Sequence, residues 1–309
     1  MKHYDAIVIG SGQAGPAMAS QLVKAGQTVA IAEGYRFGGS CVNYGCRPSK
    51  VLIASARAAH MARRGADFGV MIPAFSIDWQ RVSQRVVDII EHTSQDIETW
   101  LRGIAGLDVY HAYASFDGTT DGLYRVRVGD DVIAAPRIFL NTGTRARMAD
   151  VPGIDQVRTL NSESLLRLDT LPTHLIIMGG SYIGLEMGQA FRRLGSQVTI
   201  IETSEAIIVR EDDDIRQEIH RVLTEEGVTI LTQHSLTHAE PTEADGVRVR
   251  VKHSVTGDEQ VISGSHLLSA IGRIPNTDRL NLESVGVQTD ARGFVVVDDG
   301  LQTTTPNIY

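Results

Sequence analysis

A strand, a glycine turn, a helix, a second strand and a terminal acid follow one another twice in this 309-residue chain, and no other feature constrains its fold as tightly. The first copy runs from the apolar residues 6–9 through Gly10-Ser11-Gly12-Gln13-Ala14-Gly15 into helix-compatible sequence at 16–24. Gly26 is a stop signal, and a strand over 28–32 ends at Glu33. The second copy lies 169 residues further on. Residues 175–178 lead into Gly179-Gly180-Ser181-Tyr182-Ile183-Gly184, and Gly195, Val198, Ile200 and Glu202 stand where the first copy has Gly26, Val29, Ile31 and Glu33. One glycine turn is weak information. Two with a common offset at glycine, strand and acid positions are the dinucleotide-binding fingerprint in the context it requires. Its glycines permit a tight turn and close approach of backbone to a pyrophosphate seated on the helix N-terminus. Gly10, Ser11, Gly12, Ala14 and Gly15 with Glu33, and Gly179, Ser181, Tyr182, Ile183 and Gly184 with Glu202, are therefore candidate cofactor-binding residues.

The strand-end acids also bear on the choice of cofactor. A glutamate accepts hydrogen bonds from a free ribose 2′-hydroxyl and repels a 2′-phosphate. Thr203, Ser204 and Glu205 follow Glu202, and no Arg or Lys appears before Arg210, so NAD(H) is expected over NADP(H) at the second turn. Ser181 stands where a second glycine is usual, which predicts a less intimate approach to phosphate there.

Composition narrows the remaining classes. The length suits two domains, each with a core of its own. The formal charge of −8 lacks the basic footprint of a nucleic-acid or anionic-membrane binder. No apolar run reaches the length of a membrane span. The chain passes into its first strand without a signal-peptide pattern, so a cytoplasmic location is expected. His, Asp and Glu nowhere show metal-ligand spacing, and no metal site is expected.

Two cysteines are too few for a disulfide framework, yet both fall in one glycine-rich segment, Gly38-Gly39-Ser40-Cys41-Val42-Asn43-Tyr44-Gly45-Cys46-Arg47-Pro48-Ser49-Lys50. Residues five apart on a regular helix rise about 7.5 Å and point away from each other, whereas a disulfide needs Cα atoms within about 7 Å. Pairing therefore needs a bent backbone, for which Gly45 and Pro48 supply the means. The helix is expected to begin irregularly near Cys41 and to become regular after Pro48. A helix N-terminus favours thiolate. The bland reading, two inert buried cysteines, fits poorly with neighbours such as Gly, Asn, Arg and Lys.

Residues 38–50 resemble the redox-active motif of the flavin-dependent pyridine nucleotide–disulfide oxidoreductases, the family of mercuric reductase, dihydrolipoamide dehydrogenase and glutathione reductase. The likeness extends along the chain. Residues 10–33 resemble the family's FAD fingerprint and 179–186 its nicotinamide-site fingerprint. Asn141-Thr142-Gly143-Thr144 is similar to its Ala-Thr-Gly-Ser junction, and Ala270-Ile271-Gly272-Arg273-Ile274-Pro275-Asn276 to its Gly-Arg-x-Pro-Asn turn. The resemblance implies FAD and NAD(H) as cofactors and an enzyme passing electrons from NADH through the flavin to a Cys41–Cys46 disulfide. From there they would reach a disulfide, dithiol or metal-ion acceptor. Cys46 would face the flavin and Cys41 would exchange with substrate. Lys50 matches the family's lysine near the flavin and Glu186 its ion-pair partner; without the motifs these two read as a surface lysine and a helix-face glutamate. Gly39, Ser40, Ala114, Thr142, Gly143, Gly272 and Arg273 are carried over as further cofactor-binding candidates.

Some positions depart from the family. Arg47 stands where better-known members have Ile or Val; it either lowers the pKa of the neighbouring thiolate or points away to solvent or phosphate. The last residues, 301–309, are similar to the run before the family's Ala-x-Gly-Asp motif, so the chain is expected to lack the interface domain that supplies dimer contacts and a His-Glu pair. His220 and Glu225 have that pair's spacing but read as a solvated helix face. The run Glu211-Asp212-Asp213-Asp214 reads as a helix N-terminus.

The expected architecture is α/β, with two Rossmann-like dinucleotide-binding domains of the three-layer ββα type. The FAD-binding domain covers 1–149, with a long amphipathic helix around residues 79–90 and a β-rich patch at 112–138. The NAD(H)-binding domain covers 150–275. Residues 276–309 return to the first domain, with 294–297 as a strand. A small-molecule or disulfide substrate is expected, with neither nucleic acid nor membrane as partner, and a homodimer where the interface domain is present. The competing readings are a flavin reductase of a non-disulfide acceptor and an inactive truncated remnant.

Overall fold

The computed structural model describes residues 1–243 and 245–309. The chain forms two compact units, each assembled from separate stretches: Met1–Arg47, Ile90–Arg145 and Arg273–Tyr309 in one, Pro48–Ile89 and Ala146–Gly272 in the other.

In the first unit the strands Ala6–Ile9 and Val29–Ala32 are apolar and buried at every position, as strands covered on both faces must be. They are the central pair of a parallel sheet flanked by Leu107–Tyr110 and Ile138–Leu140. Parallel neighbours require a crossover, here the helix Gly15–Lys24. Side chains alternate between faces. Ile7, Ile9, Ala30 and Ala32 meet Phe116, Val126 and Ile133 of the antiparallel strands Ala114–Thr120, Leu123–Val128 and Asp131–Ala135, and Leu280, Leu282 and Ile308 complete that core. Val8, Val29 and Ile31 face the helical side, with Ala19, Phe37 and Leu101. The layers are thus meander, parallel sheet and helices, the expected ββα order. The final residues extend the parallel sheet: Ile308 bridges Ile138, and Leu140 N–H donates to the Tyr309 carbonyl at 2.7 Å.

The second unit repeats the plan. Its parallel sheet runs Thr159–Leu160, His266–Ser269, His174–Met178, Gln197–Ile201, Thr229–Leu231. Ile176, Met178 and Ile201 pack on Val247, Val249 and Val251 of an antiparallel three-stranded meander. Those valines alternate with exposed residues along Val247–His253. The helix Tyr182–Leu194 covers the other face, and Gly188 lets it sit close: a Cβ there would lie 3.1 Å from Ile200 and 3.4 Å from Ile177.

Residues 48–89 belong to this second unit. The Trp79 indole donates to the Leu168 carbonyl at 3.1 Å and its ring lies 5.6 Å from that of Phe191. Arg63 donates to the Arg193 carbonyl, and Arg85 to Ser55 at 2.6 Å. The amphipathic helix spans Trp79–Arg102.

Two local expectations are corrected. The regular helix resumes at Cys46, not after Pro48: a short helix Gly39–Asn43 stops at Tyr44, and Cys46–Arg63 follows. Proline in a first helical turn costs nothing in hydrogen bonding, because the N–H groups there have no intrahelical partner. Residues 294–297 make no strand. They contribute single bridges, Thr289 to Val295 and Val297 to Thr303, between two tight turns. Asp290 accepts the N–H groups of Arg292 and Phe294, and Asp298 those of Gly300 and Gln302, leaving too few residues between the turns for a ladder. Among the described residues no helix is long and apolar enough to cross a membrane.

Candidate cofactor and redox sites

In the first unit the glycine turn is built by sterics. Gly10 has φ +102°, and a Cβ on it would lie 2.3 Å from the Asn141 carbonyl oxygen; a Cβ on Gly15 would lie 2.1 Å from the Gly10 carbonyl oxygen. Gly12 is different. Its Cβ position meets only Asn141 O, at 3.9 Å, so the space above this backbone is open to a ligand. Ser11 is fully buried, and its N–H and hydroxyl both donate to Glu33 Oε2, at 3.0 and 2.7 Å. Glu33 Oε1 accepts Tyr35 N–H at 2.8 Å. A carboxylate takes about four hydrogen bonds, so Glu33 secures the turn and keeps acceptor capacity for ribose hydroxyls. Ala14 precedes the helix, with a proline in the first turn behind it. The open glycine, the fixed turn and the acid fit a dinucleotide.

The second unit reproduces this geometry. Gly179 has φ +105°, and its Cβ would meet Ala270 O at 2.5 Å; that of Gly184 would meet Gly179 O at 2.0 Å. Gly180, the counterpart of Ser11, donates its N–H to Glu202 Oε2 at 2.7 Å, and Ser204 N–H donates to Oε1 at 2.7 Å. Burial opposes ionisation of Glu202, but the amides of Ser204 and Gly180 outweigh it and hold the carboxyl below its ordinary range. Ser181 is extended at φ −99° and exposed, a conformation open to any L residue. Tyr182 is 55% exposed and donates its hydroxyl to Glu211; Ile183 lies between it and buried Gly184 on the same helix.

The cysteine segment is seated on the first glycine turn. Gly38 and Gly39 have φ +94° and +60°; Gly38 N–H donates to the Ser11 carbonyl at 3.0 Å, and a Cβ on Gly39 would lie 2.7 Å from the Gly12 Cα. Asn43, 1% exposed, donates from one amide nitrogen to the carbonyls of Phe37 and Gly39 at 3.0 and 2.9 Å. Residue pattern did not single it out, since Asn in a glycine-rich stretch reads as an ordinary turn residue. The backbone then folds back: a Cβ on Gly45 would lie 2.9 Å from Ser40 O and 3.4 Å from Cys41 Cα.

Cys41 is half-buried and Cys46 exposed, both as thiols. Burial pushes the Cys41 thiol up, its hydrogen bond with Cys46 adds to that, and the backbone N–H groups of Cys46 and Arg47 act the other way. The Arg47 guanidinium donates to buried Thr93 at 3.0 Å. Lys50 lies one turn beyond Cys46 on the same helix. In the second unit its Nζ is 2.7 Å from Glu186 Oε1, with both side chains well exposed.

Arg273 collects several other candidates. It donates to Thr144 Oγ1 at 2.6 Å, to the Thr144 carbonyl, and to Ser40 Oγ at 3.1 Å, beside Cys41. Asn276 donates through its side chain to the Thr142 carbonyl at 2.8 Å and through its backbone to the Gly143 carbonyl at 3.1 Å. Gly143 and Gly272 both have positive φ with open space at the Cβ position. Ala114 opens a meander strand, half-buried. His220 and Glu225 lie on the helix Asp213–Glu225, where Glu225 pairs with Arg221, and Asp213 and Asp214 occupy its first turn. Among the described residues no three His, Cys, Asp or Glu side chains converge as metal ligands.

Several known proteins are similar to this chain. The family model described as pyridine nucleotide-disulphide oxidoreductase matches residues 4–309. A mercuric reductase of Bacillus cereus is 34% identical over 306 residues, 99% of this chain and 47% of that protein. A dihydrolipoyl dehydrogenase of Cupriavidus necator is 31% identical over 320 residues, 100% of this chain and 66% of that protein. Among solved structures, the HOCl-induced flavoprotein disulfide reductase RclA from Escherichia coli superposes with a TM-score of 0.86 at 33% identity, covering 99% of this chain and 65% of that one. Its Cu(II) complex gives 0.87. The chain spans about half to two thirds of the length of these relatives.

Proposed function

The chain belongs to the pyridine nucleotide-disulphide oxidoreductase family, whose members are enzymes using FAD with NAD(P)H as electron donor, and from that premise we propose that it passes electrons from NADH to the Cys41–Cys46 pair and on to a disulfide or a metal ion. The observation that carries this reading is the seating of the cysteine segment on the first glycine turn through Gly39 and Gly12.

Residues 1–149 would bind FAD, 150–275 NAD(H), and 276–309 return to the first domain. Glu33 and Glu202 orient the two ribose moieties, each already tied to its own turn. NADH is preferred to NADPH because Glu202 carries a full negative charge at neutral pH where a 2′-phosphate would have to sit. FAD, when bound, supplies two-electron transfer between nicotinamide and the cysteine pair. Lys50, oriented by Glu186, presents the positive charge that stabilises negative charge developing beside it. Cys41, as thiolate, attacks one sulfur of an acceptor disulfide and expels the other as a thiolate; Cys46 then displaces the bound sulfur and closes the Cys41–Cys46 disulfide. The Cys46 and Arg47 amides directed at the Cys41 sulfur offset part of the effect of burial, which disfavours that thiolate. A metal-ion acceptor has the same requirement for accessible thiolate, and Cys46 is exposed. A cytoplasmic location and a family-type homodimer are part of the same proposal.

The test is anaerobic NADH titration of the flavin-loaded protein, followed in the visible. A long-wavelength thiolate–flavin band in wild type that C46S lacks supports the reading. Acceptor turnover that survives Cys41→Ser would assign a non-disulfide acceptor reached without the cysteine pair. A protein that binds no flavin would overturn the reading.

A further inference from the structure

The cations around the cysteine pair are not alike. Lys50 is paired with Glu186, and Arg36 donates two 3.0 Å hydrogen bonds to Glu91. Arg47 is exposed and, among the described residues, has no carboxylate partner; its side chain makes a single hydrogen bond, from Nη1 to Thr93 Oγ1 at 3.0 Å. Thr93 is neutral and 7% exposed. It fixes one corner of the guanidinium while leaving the charge and the other N–H donors unmet. Helix stability does not account for this residue. Arg47 stands in the first turn of Cys46–Arg63, where the helix dipole favours anions and disfavours cations.

The backbone places this charge at the point of exchange. The Arg47 amide is one of the two directed at the Cys41 sulfur, so the side chain leaves a Cα beside the atom that attacks an acceptor disulfide. A guanidinium presents a planar fork of N–H groups that matches a carboxylate. We infer that Arg47 is a specificity-determining residue that receives a carboxylate of the acceptor, and that the acceptor is a disulfide bearing carboxylates a few bonds from its sulfurs rather than a cationic metal ion. This rests on the proposed passage of electrons to the Cys41–Cys46 pair, and it chooses between the two acceptor classes named there. The covalent changes are those of thiol–disulfide exchange. The acceptor S–S bond breaks as Cys41 bonds to one sulfur, the other sulfur leaves as thiolate, and Cys46 then displaces the bound sulfur; the two electrons come from NADH. Arg47 makes and breaks no covalent bond.

The experiment follows NADH oxidation by the flavin-loaded full chain with three aliphatic disulfides: dithiodipropionate, which is anionic, hydroxyethyl disulfide, which is neutral, and cystamine, which is cationic. Arg47→Met is expected to lower the kcat/KM ratio of dithiodipropionate to hydroxyethyl disulfide by about five- to tenfold, chiefly through KM. The ratio of cystamine to hydroxyethyl disulfide is expected to rise. Arg47→Lys, which keeps the charge but not the fork, is expected to retain part of the selectivity, and it carries the test if the Met variant does not fold. Unchanged ratios overturn the inference. An equal fall for all three disulfides is such an outcome, because Arg47 would then only join two helices or tune the thiolate. Wild type whose flavin is reduced by NADH but which turns over none of the three disulfides overturns it as well. Wild type whose flavin NADH does not reduce would instead remove the electron-transfer reading, and this inference with it.

Discussion

Lys50 on the cysteine helix and Glu186 on the helix behind the second glycine turn are joined by a 2.7 Å ion pair within one compact unit. Both side chains are well exposed, so the pair adds no more than about 1 kcal/mol to stability. Its consequence is positional: the ammonium is held to one side of the helix, a turn away from Cys46.

Glu186→Gln is therefore expected to leave the thermal midpoint nearly unchanged while slowing NADH-driven flavin reduction on the order of tenfold, below the hundredfold or more of a fully enclosed charged donor. Stopped-flow reduction alongside a melting curve separates the two effects. A large fall in the midpoint with unchanged reduction would contradict the assignment.

The glycines of the first turn divide into two kinds. Gly10→Ala places a Cβ 2.3 Å from a backbone oxygen at φ +102°, and a loss of about 3 kcal/mol or more is expected. Gly12→Ala has 3.9 Å of room, so folding is expected to survive and FAD affinity to fall, because the methyl occupies the approach to phosphate. Urea midpoints and flavin content measured together check the distinction.

Glu202 carries a pH signature. Its folded carboxyl titrates below the ordinary carboxylate range, so the unfolded chain takes up the proton first as pH falls. The stabilisation is complete above the ordinary carboxylate value and is lost as pH drops through the lower folded one. Wild type should exceed Glu202→Gln in stability at pH 7, with the gap closing towards pH 3. The same variant is expected to narrow the preference for NADH over NADPH, read as the ratio of kcat/KM values.

Arg193 and Glu226 form a largely enclosed pair, their side chains 17% and 13% exposed, with Arg193 donating to both carboxylate oxygens and His60 at 3.9 Å. Removing one partner leaves a charge stranded, and Arg193→Met is expected to cost about 3 kcal/mol. Replacing both together should cost less than the sum of the single changes, which a double-mutant cycle in urea measures.

Sequence by itself determined the repeated strand–turn–helix–strand–acid unit, because its spacing is local: each glycine, apolar strand and acid is legible within about 25 residues, and the 169-residue offset makes the two copies confirm each other. The ββα layering followed from that repeat and from the β-rich patch. Tertiary structure alone decided the rest. That Pro48–Ile89 joins the second unit depends on partners such as Leu168, Phe191 and Arg193, more than 80 residues away along the chain. The seating of Gly39 on Gly12, the Asn43 clamp and the cover of Tyr113 over Gly34 are contacts between loops, where no hydrophobic period announces a partner. The restart of the helix at Cys46 belongs with them, since a first helical turn accepts Pro48 and local propensity could not tell where regularity begins.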